Sequence, residues 1–111
     1  MLKNIFLLFF CNILFGQIQI GNDIDGEAAN NSSGWAVSMP DGLTVAIGAP
    51  SNDEVASGAG HVRVFEWNGT SWIQKGEDLD GRTSFEKFGT DVSMPDANTV
   101  GIGVPGVALS T

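Results

Sequence analysis

The groups best suited to chemistry in this chain are acidic, because its 111 residues include 13 Asp and Glu against 5 Lys and Arg and one His. The densest group is Asn52, Asp53 and Glu54, in the polar stretch 51–60. Their oxygen atoms are ligands that calcium prefers, but calcium takes about 6–8 oxygens and these three residues include only two carboxylates. A solvated polar loop is therefore the favoured interpretation, with calcium binding as the alternative.

A second acidic pattern occurs twice, as Asp-Ile-Asp-Gly at 23–26 and as Asp-Leu-Asp-Gly at 78–81. Alternating Asp residues begin an EF-hand loop, but the remaining positions of that loop and its terminal Glu are missing here. A strand end that leads into an Asp-Gly turn explains both copies. We assign no metal ligand and no cofactor-binding residue from these patterns.

Catalysis has little support in the residue types. His61 lies in a predicted strand beside Val62 and Arg63 without an evident nucleophile as partner, so a surface histidine is the favoured interpretation. The chain shows no G-x-S-x-G motif, paired-carboxylate spacing or phosphate-binding loop. One His and one Cys exclude a multi-histidine metal centre, a Cys-based zinc site and an internal disulfide framework. We therefore predict no catalytic residues and a protein that is not an enzyme.

The first part of the chain has the pattern of a secretory signal. Lys3 supplies the positive start, and a short apolar run over 5–15 ends at Gly16. A helix of that length spans about half of a hydrocarbon core of about 30 Å. We predict cleavage after Gly16 and an exported chain, from Gln17 onward, without a membrane span. A buried N-terminal helix is the alternative.

The rest of the chain repeats itself at an offset of 55 residues. Between 18–50 and 73–105, 17 of 33 positions are identical without a gap, where chance gives roughly two. The run Val-Ser-Met-Pro-Asp, for example, occurs at 37–41 and again at 92–96. A repeat of this length indicates a solenoid, a propeller or an array.

Each repeat unit is predicted to contain four antiparallel strands and no helix. Apolar and small polar residues alternate along the first strand, Pro-Asp-Gly at 40–42 predicts a turn, and Asn68-Gly69 predicts a hairpin. The predicted strands are 35–39, 43–49, 60–67 and 70–75 in the first unit, and 88–94 and 98–104 in the second. Four strands in about 40–50 residues are typical of a β-propeller blade, and a flat array of hairpins is the alternative.

These units resemble the FG-GAP repeat family, the blades of integrin-α-type propellers. Phe88-Gly89 matches the Phe-Gly pair of that family, and the Gly-Ala-Pro at 48–50 matches its second mark. Residues 60–65 and 67–72 resemble its third strand and outer hairpin. Each unit departs from the pattern once, at Ser33-Gly34 and at Gly103-Val104-Pro105. The resemblance covers residues 18–105, and it implies that calcium, where a blade of this family holds it, binds in the loop after Gly-Ala-Pro.

Glycine and tryptophan positions fit such a blade. Gly34 and Gly89 stand early in the first strand of each unit, where the absence of a Cβ permits close approach of two backbones. Trp67 and Trp72 flank the Asn-Gly turn and are expected to pair across the hairpin. Trp35 has no aromatic counterpart in the second unit, so it is not expected at a shared core position.

The predicted fold is therefore all-β, with four-stranded antiparallel propeller blades, and it is incomplete because fewer than two blades of about 55 residues are present. We predict a signal peptide at 1–16, a leading strand plus first blade at 17–75, and a second blade at 76–111 that is truncated after its second strand. Residues 18–19 align with 73–74, so the chain after cleavage is expected to open on a fourth-strand equivalent. The chain is interpreted as a piece of a longer product, with ring closure by oligomerisation as the alternative.

The predicted function is a secreted or cell-surface module for binding or adhesion, with an extracellular protein or glycan as its partner. The formal net charge of −8 argues against nucleic acid, because phosphate contacts need Lys and Arg. Further blades, in a longer chain or in an oligomer, are the other expected partners. The alternatives are a purely structural repeat of a larger surface protein and the non-catalytic part of an exported enzyme.

Overall fold

The computed structural model describes residues 16–106, which form an all-β structure without a helix. None of these residues therefore belongs to a helix that is able to cross a membrane. Apart from Gly16, the predicted signal peptide lies outside the described residues, as do residues 107–111 of the second unit. The strands are β1 (Ala36–Asp41), β2 (Thr44–Ala49), β3 (His61–Trp67), β4 (Trp72–Gln74), β5 (Leu79–Asp80), β6 (Asp91–Asp96) and β7 (Thr99–Gly103).

The first repeat unit forms one antiparallel sheet in the order β1-β2-β3-β4, which confirms its four predicted strands. The fifth strand of this sheet, β5, pairs with the start of β3, where His61 lies opposite Asp80. The sequence predicts a connection at 76–84, and β5 lies within it. Two residues are too few to show the alternation by which a strand is recognised from sequence.

The two hairpins β1–β2 and β6–β7 are structural copies of each other. Val37 lies opposite Ile47 and Val92 opposite Ile102, and both first strands have a register shift at their proline. The predicted turn at 40–42 is wrong in position, because β1 continues through Pro40 to Asp41 and the turn lies at 42–43. A bulge accommodates the proline, which has no N–H to donate to the ladder.

Strand β2 is the centre of the fold. All six of its residues are buried, as expected for a run of small and apolar residues with sheet neighbours on both sides. The predicted strand begins one residue too early, because Leu43 belongs to the turn and is exposed. The expected tryptophan pair is confirmed: Trp67 and Trp72 lie opposite each other, with ring centroids 5.5 Å apart.

The second hairpin packs face to face on the first sheet, with β6 against β1 and β2. Val92 and Met94 join Ala46, Val62 and Val64 in one buried apolar cluster. The backbone N–H of Met94 also donates to the Ser38 hydroxyl oxygen, at 3.0 Å. The interface between the two repeat units is therefore a continuous hydrophobic core and not a loose contact.

Two glycines bring the backbones of the two units together. A Cβ at Gly48 would meet the carbonyl oxygen of Gly89, and a Cβ at Gly89 would lie 2.6 Å from the carbonyl oxygen of His61. The close approach predicted for Gly89 is thus confirmed. At Gly34 the predicted crowding is wrong, because nothing lies within 4 Å of a Cβ built there. Gly34 is instead suited to its positive φ of 88°.

The opposite face of the first sheet carries a second apolar cluster of Val45, Ile47 and Phe65, against which Ile24 packs from the leading segment, residues 16–27. The indole N–H of Trp72 donates to the carbonyl oxygen of Ile20 at 3.0 Å and holds this segment near the hairpin. Residues 17–20 form no strand, so the expected fourth-strand equivalent is not formed at that position. Its pairing with a further blade stays a prediction.

Candidate functional site

The most unusual polar group of the structure is the imidazole of His61, at the start of β3. Its side chain is only 1% exposed, and its Nδ1 atom has no hydrogen-bond partner among the described residues. The prediction of a surface histidine is therefore wrong. Strands β2 and β5 flank His61 within the sheet, and the side chains of Glu27 and Asp78 lie against its imidazole.

Acidic side chains from several segments surround this nitrogen. The Nδ1 atom lies 3.9 Å from Glu27 Oε1, 3.8 Å from Asp78 Oδ2 and 3.9 Å from Asp80 Oδ1. Glu54 completes the group, which we call the His61 cluster: donor atoms of Glu27, Glu54, His61 and Asp78 all lie within 4.8 Å of one another. The leading segment, the β2–β3 loop, β3 and the approach to β5 thus converge at one point.

Local backbone structure explains why these segments meet. Antiparallel pairing of β3 with β5 places Asp80 directly opposite His61, and Asp78 precedes it by two residues. The amide of Gln74 donates to Asp78 Oδ1 at 2.6 Å, which fixes the other side of that carboxylate. The β2–β3 loop is fixed by buried Asn52, whose Oδ1 accepts the backbone N–H of Glu54 at 3.0 Å.

The charge of the region is strongly negative. Arg63 is the positive side chain closest to Glu27, at 3.6 Å, and it also donates to the carbonyl oxygen of Asp25 at 2.6 Å. Partial burial and the neighbouring Asp78 carboxylate raise the pKa of Glu27 above its ordinary value, although Arg63 acts in the opposite direction. Burial is the larger of the two causes, and the Asp78 carboxylate adds to it.

The oxygens singled out from the sequence are mostly used by the β2–β3 loop itself. Asn52 caps Glu54 as described above, and Asp53 Oδ1 accepts the backbone N–H of Gly58 at 2.6 Å. The first bond is an Asx-turn contact, and the second closes the loop across five residues. Asp53 and Glu54 are exposed, as in the predicted solvated polar loop, whereas Asn52 is buried. Only Glu54 of the three reaches the His61 cluster.

The two Asp-x-Asp-Gly copies have different surroundings. Asp78 and Asp80 face His61, whereas Asp23 Oδ1 accepts the side-chain N–H of Gln19 at 2.8 Å in an exposed position. The sequence pattern is the same in both copies, so it does not distinguish them. The distinguishing feature is a histidine in register with the second copy across β3 and β5, which sequence reasoning missed because β5 was not predicted.

Comparison with protein-family models, with curated protein sequences and with solved structures gave no significant match. The geometry of the chain itself therefore carries the functional interpretation that follows.

Proposed function

We propose that this chain is a repeat module of an exported binding or adhesion protein, built from propeller-type blades that stack face to face. The observation that carries the proposal is the interface between the two units. The second unit packs on the first through apolar side chains of its first strand. The equivalent side chains of the first unit, 55 residues earlier in the chain, are exposed.

The equivalent positions differ sharply in exposure. Val92 and Met94 are each 7% exposed at the interface, whereas Val37 and Met39, at the same places in the first unit, are 59% and 52% exposed. Repeat proteins bury their apolar faces by stacking neighbouring units. The Val37 and Met39 face is accordingly suited to a further unit that would pack on it as the second hairpin packs on the first sheet.

Glycine positions support the same stacking rule. Gly89 lies against the backbone of the first unit, and the equivalent Gly34 faces open space. Exposed Trp35 and Met39 extend this open face. Further units, from a longer chain or from other copies, would bury these residues, and about 4–8 blades would close a ring.

The architecture favours binding over catalysis, because a rigid buried sheet carries exposed turns. The buried β2 and the cluster at the interface form the scaffold, and the short turns at 42–43 and 68–70 are exposed. Rigid scaffolds with exposed loops are a common architecture of recognition modules. The predicted signal peptide places the expected partner, a protein or a glycan, outside the cell.

The proposal is tested by binding of the labelled full chain to arrays of extracellular glycans and matrix proteins. We expect saturable binding to at least one ligand, and loss of that binding in Met94→Asp, which places a charge in the interface between the units. Ile73→Asp, at an exposed position on β4 that belongs neither to this interface nor to the Val37 and Met39 face, is the matched control and should bind normally. A folded chain that binds no member of either array would overturn the proposal.

A further inference from the structure

We propose that the His61 cluster is a zinc site, with Nδ1 of His61 and the carboxylates of Glu27, Glu54 and Asp78 as its ligands. This inference is independent of the binding function proposed above, because none of these four residues belongs to the apolar interface between the two units.

The first argument is the state of the buried imidazole nitrogen. Its nearest carboxylate oxygens lie at 3.8 and 3.9 Å, beyond the usual hydrogen-bond limit of about 3.2 Å. A buried polar atom without a partner is costly, and native structures contain few of them. A cation at the centre of the cluster would bind this nitrogen and the carboxylates that surround it.

The second argument is charge. Glu27, Glu54, Asp78 and Asp80 bring four carboxylates to one histidine, and Arg63 is the guanidinium in contact with the group. Carboxylates that share a partly buried site repel one another unless a proton or a cation compensates them. A divalent ion compensates two of these charges directly and would draw the carboxylates inward.

The third argument concerns which ion fits. Calcium and magnesium take oxygen ligands almost exclusively, whereas zinc accepts histidine nitrogen together with carboxylate oxygen. Zinc is usually four-coordinate in proteins, and the cluster offers four donor residues. Ligands about 2.1 Å from a tetrahedral zinc lie about 3.4 Å apart, so donor atoms within 4.8 Å need only a small contraction. The exposed side chains of Glu27 and Glu54 are free to provide it.

The position of the site gives the ion a structural consequence. Its ligands come from the leading segment, the β2–β3 loop, β3 and the connection towards the second unit. An ion held by all four would fix the leading segment against the sheet and stabilise the folded state in proportion to its binding. The expected role of the ion is therefore structural, as a link between chain segments.

The test is a zinc titration of the full chain without a polyhistidine tag, with Cys11→Ser as background so that the thiol does not compete. We expect one zinc ion per chain by calorimetry and a rise in the unfolding temperature. Because His61 is the single histidine of the sequence, its imidazole ¹⁵N resonances need no assignment, and Nδ1 should shift on zinc addition. An unshifted Nδ1 resonance, or calcium binding more tightly than zinc, would overturn the assignment.

Variants locate the ion. Glu54→Gln and Asp78→Asn should each weaken zinc binding by at least about 10-fold, as expected for loss of a ligand or of its support. Glu66→Gln and Glu77→Gln remove exposed carboxylates on β3 and next to Asp78 and are the matched controls, with unchanged affinity expected. Equal weakening by controls and ligand variants would show that zinc responds only to overall charge. Because Glu54 is exposed, its substitution tests the site even if a His61 variant does not fold.

Discussion

The two repeat units carry the same five-residue run, Val-Ser-Met-Pro-Asp, in two different environments. In both units the run lies in the first strand of a hairpin, its valine lies opposite an isoleucine, and the register shift falls at the same place. In the second unit its apolar side chains are buried against the first sheet, and in the first unit they are exposed. Local sequence thus determines the strand and its register, whereas burial depends on which sheet lies next to it.

The comparison also separates two roles of one residue type. Gly34 and Gly89 share a positive φ, of 88° and 90°, so both need the conformational freedom of glycine. Gly89 additionally needs the missing Cβ, because the backbone of the first unit lies against it. Equivalent glycines in the two units therefore have different requirements. Gly34 is needed for its backbone conformation, and Gly89 is needed both for its conformation and for the space that a Cβ would occupy.

The largest difference in stability is expected between alanine variants of the two equivalent methionines, Met94 and Met39. Met94→Ala should lower the free energy of unfolding by about 2–5 kcal/mol, because it leaves a cavity in the interface cluster. Met39→Ala should change it by less than about 0.5 kcal/mol, since that side chain is exposed. Urea denaturation of both variants measures the difference, and equal losses would contradict the stacking of the two units.

A smaller difference is expected between the paired glycines. Gly34→Ala should cost about 1–2 kcal/mol, the usual penalty for an L-residue in the left-handed region. Gly89→Ala should cost about 1–3 kcal/mol more, because its Cβ would overpack against the carbonyl oxygen of His61 and the side chain of Val62. Thermal unfolding of the two variants, compared with the parent chain, gives both values. Identical costs would mean that the units do not touch at Gly89.

The smallest effect is expected in the pH dependence of stability that arises from the turn between β6 and β7. The backbone N–H of Asn98, with help from Thr99, lowers the pKa of the Asp96 carboxyl below its ordinary value of 3.8. The ionised form therefore stabilises the fold, fully above about pH 3.8, and this stabilisation is lost as the pH falls through the lower folded pKa. Asp96→Asn keeps an acceptor oxygen but does not titrate, so its stability should fall less steeply in acid. Urea denaturation between about pH 2 and 5 measures how the free energy of unfolding changes with pH in the parent chain and in the variant. Equal slopes for the two proteins would exclude this role of Asp96.

Much of the fold was predictable because its signals are local. Alternation predicts β1 and β6, the buried run predicts β2, and Asn68-Gly69 predicts the hairpin between β3 and β4, all of which the structure confirms. The 55-residue repeat likewise predicts that the second hairpin copies the first. These features depend on neighbours in the chain or on direct strand pairing, which leave regular patterns in the residue types.

The His61 cluster was not predictable in the same way. Its members are far apart in the chain, from Glu27 to Asp78, and no spacing between them is regular. The register of β3 with the two-residue strand β5 brings Asp80 to His61, and the fold of the leading segment brings Glu27 there. The amino-acid sequence by itself determined the repeat and the longer strands, since these follow from local patterns. Only the tertiary structure decided which polar side chains share a buried site and which copy of each apolar strand is covered, because both depend on contacts between distant segments.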